Sequence, residues 1–172
     1  GQVFNKVGDL FHTFYNKYLP FELTHAQKKV LKEIRKDTAA GKQMNRLLQG
    51  DVGSGKTMIA LLSMLIAADN HFQSVLMAPT EILALQHFEN IKTFLSKLPI
   101  QVELLTGSTT AANRKKILKA CENGAVQILI GTHAVIENKV KFQNLGFAVV
   151  DEQHKFGVEQ RAKLWEKNLL PP

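Results

Sequence analysis

Arg46-Leu47-Leu48-Gln49-Gly50-Asp51-Val52-Gly53-Ser54-Gly55-Lys56-Thr57 passes from a short strand-like run into a glycine-rich turn that ends in lysine and a hydroxyl residue. Its last eight residues match the phosphate-binding pattern G-x-x-x-x-G-K-[ST] in full. Gly50, Gly53 and Gly55 let backbone N–H groups turn inward around phosphate oxygens, with Ser54 between them, and the N-terminus of the following helix adds a favourable dipole. Lys56 is expected to reach the β- and γ-phosphates of a nucleotide and Thr57 to ligate Mg²⁺. The competing reading is a chance glycine-rich turn before a helix. An apolar strand before it and the helical run from Met58 after it are the context the motif needs.

The rest of the chain repeats that strand-then-helix grammar. Short runs rich in Leu, Val and Ile fall at 46–49, 74–78, 101–105, 126–130 and 147–150, and helical patterns at 55–69, 81–97 and 111–122. Near-continuous apolar strands separated by helices predict an α/β domain, a parallel sheet with helices on both faces. Ahead of it, Val3, Val7, Leu10, Phe14 and Tyr18 recur at helical spacing, with Phe4, Phe11 and Tyr15 beside them. This predicts an amphipathic lead-in helix over 1–20, interrupted by Gly8 and closed by Pro20. Its aromatics should dock on this domain's flank or on a neighbour. Thr24 and Gln27 read as a capping box opening the next helix, and Gly41 as its stop. No repeat or low-complexity tract is present.

With 172 residues, 45% hydrophobic and 22% charged, the chain is of single-domain size and ordinary globular composition. Cys121 is its only cysteine, so no intrachain disulfide forms, which fits a reducing cytoplasm. The longest apolar run, Met58 to Ala68, is broken by Ser63 and falls short of the ~20 residues of a membrane span. No signal-peptide pattern opens the chain. A cytoplasmic protein without a membrane partner is expected. The net charge of +7 favours a polyanionic partner, although Lys28, Lys29, Lys32 and Lys36 also read simply as a solvated helix face.

A second acidic motif completes the first. Phe147-Ala148-Val149-Val150-Asp151-Glu152 is an apolar strand ending in two carboxylates, where open α/β sheets place their ligands. Asp151 would hold Mg²⁺ through water and Glu152 would orient and activate an attacking water. Alternatively the two cap the backbone of Gln153 and His154. Following a P-loop, the pair predicts a nucleoside triphosphatase. A GTPase would show Asn-Lys-x-Asp, whereas Asn138-Lys139-Val140-Lys141 lacks the aspartate.

Several segments, in order, resemble the superfamily-two helicases, in the form found in bacterial helicases of branched DNA. Leu19-Pro20-Phe21-Glu22-Leu23-Thr24 with Gln27 resembles their adenine-recognition segment, and Met44 through Thr57 their extended motif I. Met77-Ala78-Pro79-Thr80-Glu81-Ile82-Leu83-Ala84, with Gln86 and His87, resembles motif Ia. Leu104-Leu105-Thr106-Gly107-Ser108 and Ile130-Gly131-Thr132-His133 resemble the next two DNA-contacting motifs. Asp151-Glu152-Gln153-His154-Lys155-Phe156-Gly157-Val158, followed by Gln160-Arg161, resembles motif II, with Lys155 where arginine is more usual. The resemblance covers about residues 19 to 165. Transcription-repair coupling translocases carry a similar lobe but tend to differ at Ser54 and His154.

The resemblance implies a RecA-like first motor lobe over 21–172, with 1–20 ending a linker from an N-terminal wedge domain. It implies ATP with Mg²⁺ as cofactors, and action on forks and Holliday junctions in bacterial DNA recombination and repair, at the nucleoid. Gln27 would bond the adenine edge, against its capping-box role, and Phe21 would pack on the base or act as a hydrophobic staple. Thr80, Thr106, Gly107, Ser108, Thr132 and His133 would hold DNA phosphates without reading sequence; singly, each also reads as an N-cap or turn residue. Gln153 and His154 would couple the nucleotide site to a facing lobe, the plain alternative being an exposed histidine. A second RecA-like lobe would supply arginine fingers, since none of Arg35, Arg46, Arg114 and Arg161 is marked as one. The chain alone should therefore bind ATP and hardly hydrolyse it. A non-catalytic ATP- or DNA-binding module is the alternative, against which Lys56 and Glu152 argue.

Overall fold

The computed structural model describes residues 8–20, 22–39, 46–50 and 54–151. The strands β1 (Arg46–Gly50), β2 (Gln73–Ala78), β3 (Val102–Leu105), β4 (Ile128–Thr132) and β5 (Leu145–Asp151) form one sheet in the order β1-β5-β2-β4-β3. Every pairing is parallel. The helices are α1 (Asp9–Thr13), which continues as a π-helical turn over Phe14–Tyr18, then α2 (His25–Ala39), α3 (Ser54–Asp69), α4 (Glu81–Phe94), α5 (Ala111–Glu122) and α6 (His133–Lys139).

Alternation along each strand divides the core in two. Leu76, Ala78, Ile128, Ile130, Phe147 and Val149 pack with Phe11, Phe14, residues of α3, and Ala84 and Ile91 of α4. Val75, Met77, Leu129, Ala148 and Val150 pack on the opposite face with Ile117 and Cys121 of α5 and Ile136 of α6. Both faces are covered, which is why the strands read as unbroken apolar runs. Residues 58–67 of α3 are buried all round, lying between the sheet and the N-terminal helices. Ser63 fits this environment because its hydroxyl donates to the Ile59 carbonyl at 2.8 Å.

The N-terminal segment departs from expectation in its start. Gly8 is not inside a helix: it is the N-cap of α1, in extended conformation at φ −106° and ψ −160°. Val3, Phe4 and Val7 lie outside the described residues. The Asp69 carboxylate accepts from the N–H groups of Gly8, Leu10 and Phe11 at 3.1, 3.0 and 3.1 Å, and so caps α1 from the last residue of α3. Phe11 and Phe14 are buried against the lobe's own flank. Leu19, just before Pro20, is extended at φ −64° and ψ 119° and ends the segment.

The capping box forms as written in the sequence. Thr24 N–H donates to Gln27 Oε1 at 2.8 Å, and Gln27 N–H donates to Thr24 Oγ1 at 3.1 Å. Gly41 falls outside the described residues. β4 sits two residues later than its apolar run suggested, because Val126 N–H is held by the Ala120 carbonyl at 3.1 Å in the loop leaving α5. A buried polar knot fixes the entry to the sheet. Gln73 Nε2 donates to the carbonyls of Cys121 and Val126 at 2.9 and 2.8 Å, and its Oε1 accepts from Asn144 N–H at 2.8 Å.

Candidate functional site

In an all-parallel sheet the carboxyl ends of the strands share one edge, where α/β proteins bind their ligands. Here that edge carries Gly50, Ala78, Leu105, Thr132 and Asp151. Gly50 and Asp151 are register partners in the adjacent strands β1 and β5. The start of the glycine-rich loop and the acidic strand end, far apart in sequence, thus stand side by side.

β1 ends at Gly50 and α3 begins at Ser54, the strand–loop–helix context the phosphate motif requires. Ser54, Gly55, Lys56 and Thr57 make the first turn of this 16-residue helix, so its unpaired N–H groups open toward the loop. Thr57 is half-buried. Gly53, Glu152, Gln153, His154 and Phe21 lie outside the described residues. Thr57 and Asp151 supply a hydroxyl and a carboxylate, hard oxygen donors of the kind Mg²⁺ takes alongside phosphate oxygens and water. Gly50 beside Asp151 puts this donor set at the loop that would carry those phosphates.

Asp151 is only 2% exposed, and Nε2 of His87 lies 3.1 Å from its Oδ2. A neutral His87 makes this bond by donating from Nε2–H. His87 sits on α4, two turns from Thr80, and entered the sequence reading only as part of motif Ia. No periodicity links a helix residue to a carboxylate 64 positions later.

The other strand ends carry hydroxyl-rich loops. Thr80 is the N-cap of α4, accepting from Leu83 N–H at 3.2 Å, so its capping role is realised. Thr106 is buried, and its N–H donates to Thr109 Oγ1 at 3.0 Å. Ser108 N–H faces both Thr106 Oγ1 at 3.3 Å and Glu81 Oε1 at 3.1 Å, and Ser108 Oγ donates to Glu81 Oε2 at 2.7 Å. Arg114 Nη2 lies under the same loop, donating to the carbonyls of Thr106, Gly107 and Thr109 at 3.5, 3.3 and 3.4 Å. Its guanidinium collects the carbonyls on one side of the turn. Thr132 ends β4 and its side chain makes no cap bond to α6, which His133 opens half-buried. Gly131 is required here, since a Cβ would collide with the Leu105 carbonyl of the neighbouring strand. The structure therefore brings Gly50, Thr57, Asp151, Thr80, Thr106, Gly107, Ser108, Thr132 and His133 to one edge. Gln27 lies apart on α2, half-buried, with its oxygen in the capping box. Glu81, His87 and Arg114 are the participants that sequence reasoning did not single out.

A parallel α/β lobe that sets a P-loop sequence beside an acidic strand end has the architecture of the P-loop nucleotide-binding lobes. Residues 24–170 match the DEAD/DEAH box helicase family, and the chain belongs to that family. Membership of a helicase family implies the use of ATP. The chain is similar to the ATP-dependent DNA helicase RecG of Synechocystis sp., 47% identical over 169 residues, which covers 98% of this chain and 20% of that protein. It is also 50% identical to RecG of Thermotoga maritima over 154 residues, 90% of this chain and 20% of that one. It thus spans about a fifth of the curated relatives' length. In three dimensions it superposes on a structure of RecG bound to a three-way DNA junction with a TM-score of 0.71, at 35% identity, over 94% of this chain and 25% of that one. The DUF1998 helicase MrfA shares the fold, with a TM-score of 0.64 at 20% identity. Among the described residues no helix is long and apolar enough to cross a membrane.

Proposed function

We propose that this chain is the first motor lobe of an ATP-dependent DNA helicase of the RecG kind, with residues 21–172 as its ATP-binding domain and 1–20 as the lead-in helix that ends a linker from an N-terminal wedge domain. The main support is the register pairing of Gly50 with Asp151, which sets a phosphate cradle beside an acidic strand end. In this reading Lys56 faces the β- and γ-phosphates, where the amides of Gly50, Gly53, Ser54 and Gly55 and the α3 dipole also hold negative charge. Thr57 and Asp151 would hold Mg²⁺, which when bound offsets charge on the phosphate oxygens. Glu152 orients and deprotonates the attacking water. Gln27 recognises adenine with its amide nitrogen while its oxygen stays in the capping box, and Phe21 packs on the base.

Thr80, Thr106, Gly107, Ser108, Thr132 and His133 hold the DNA backbone, so binding is independent of sequence. The intact enzyme would add a second lobe with arginine fingers, engaged through Gln153 and His154, and would remodel branched DNA at the bacterial nucleoid. The test is calorimetric titration of a non-hydrolysable Mg-ATP analogue into this chain and its Lys56→Ala variant. Binding by the parent and its loss in a folded variant are expected; unchanged affinity removes the phosphate assignment.

A further inference from the structure

We propose that Glu81 occupies the place of a DNA phosphate, so that its carboxylate must leave Ser108 before this loop can grip a strand. The inference rests on the DNA-binding reading given above and concerns the same edge. Glu81 is the first residue of α4, directly after Thr80, and Ser108 lies across from it in the loop between β3 and α5. The carboxylate takes both donors that Ser108 offers, the backbone N–H at 3.1 Å and the hydroxyl at 2.7 Å. A backbone N–H and a hydroxyl converging on one anionic oxygen pair is how proteins hold a phosphate diester. The loop is held in shape from beneath. Arg114 holds the carbonyls of Thr106, Gly107 and Thr109, while the Thr106 and Thr109 N–H groups are bonded within the loop, so Ser108 is the residue whose donors face Glu81. A Cβ on Gly107 would stand 2.9 Å from Glu81 Oε1, so the carboxylate presses against bare backbone.

The flanking helix is basic, although the Glu103 carboxylate also lines the cavity. Arg114, Lys115, Lys116 and Lys119 crowd α5, and Lys116 lines the cavity of about 770 Å³ between α4, α5 and β3 in which Glu81 and Ser108 meet. Two anions cannot share the Ser108 donors, since each repels the other and each needs the same hydrogens. DNA binding is therefore an exchange, in which a strand phosphate displaces Glu81. The exchange lowers apparent affinity for the strand. The residue displaced is the Glu81 side chain, at the start of the helix that also carries His87, the partner of Asp151.

The experiment is fluorescence anisotropy of a labelled single strand with this chain at low salt, comparing the parent with Glu81→Ala, Glu89→Ala and Ser108→Ala, and with the Glu81→Ala, Ser108→Ala double variant. Glu89 is exposed on α4 two turns away and makes the same change in net charge. Glu81→Ala should tighten binding about three- to tenfold, as expected for removing a competing charge-assisted bond at an exposed site. Glu89→Ala should stay within about twofold of the parent. Ser108→Ala should cost more in the Glu81→Ala background than in the parent, because only there is Ser108 free for DNA. Unchanged or weaker binding by Glu81→Ala, an equal gain from Glu89→Ala, or additive effects of the two substitutions overturns the proposal while leaving DNA binding in place. If neither the parent nor Glu81→Ala binds DNA, the exchange and the DNA reading fall together.

Discussion

The imidazole of His87 meets the carboxylate of Asp151 at 3.1 Å, inside the lobe, with both residues buried. The bond joins the helix that opens at Thr80 to the strand that ends beside Gly50. Removing one partner of a buried carboxylate costs about 1–3 kcal/mol. His87→Ala should lower the urea unfolding free energy by that amount and weaken Mg-nucleotide binding. His87→Gln, which keeps an N–H donor, should recover part of both. A variant as stable and as tight-binding as the parent would show that the bond positions nothing.

Asp69 ends α3 yet serves α1, accepting three of its N-terminal N–H groups. A lost N-cap costs about 0.5–2 kcal/mol. Asp69→Ala is expected to destabilise by this range and to expose the amides of Leu10 and Phe11 to hydrogen exchange, with β2 and β5 protected as before. Equal protection at Leu10 and Phe11 in the two proteins would argue against the cap.

Burial first, and the Glu103 carboxylate second, push the Cys121 thiol from 9.0 up to about 12. Deprotonation is therefore harder in the folded state than in the unfolded one. The stability this group contributes is complete below about pH 9 and is lost as pH rises toward 12, at no more than about 1.4 kcal/mol per pH unit. Urea unfolding between pH 8 and 11 should show a steeper decline for the parent than for Cys121→Ala. The folded protein should also resist iodoacetamide at pH 8 until denaturant opens it. Rapid alkylation without denaturant would contradict the burial of the thiol.

For hydrolysis, the expectation follows from what surrounds the γ-phosphate. In the proposed reading Lys56, the loop amides and Mg²⁺ would act from one side, while an arginine finger from a second lobe is typically worth ~10³–10⁵ in rate. Phosphate release by this chain should be near background and unaffected by forked DNA. A form extended through a second lobe should turn over and respond to DNA. Equal turnover by the two forms would show that the catalytic set is complete here.

The elements whose signals are local were legible in the sequence. The α5 helix runs over 111–122 as its pattern indicated, opened by Thr110, whose side chain accepts from Asn113 N–H at 3.3 Å. The parallel sheet followed from strand runs apolar on both faces, and the capping box from Thr24 and Gln27 alone. What stayed hidden depends on which residues meet across the fold. α6 is only His133–Lys139, too short for a helical period to stand out. Gly8 looked like a flaw in a longer helix because its partner, Asp69, lies 61 residues away. Glu81 stands in the sequence only as one letter of the motif Ia segment, and its bond to Ser108 spans 27 positions. No motif marks Arg114 for any role, yet it works as a scaffold for the loop beside it.

The strand order carries a consequence for how the protein comes into being. β1 and β2 follow one another in the chain, but β5 lies between them in the sheet. Among the described residues β1 pairs with the sheet only through β5, so it waits for a partner roughly a hundred residues downstream, a long loop closure of the kind that slows folding. A chain leaving the ribosome can pair β2 with β4 and β4 with β3 while its phosphate loop still dangles from an unpaired strand. Among the described strands the edge proposed to hold the nucleotide is thus the last to be born, and a nascent lobe would have no such edge until β5 emerges and closes the gap.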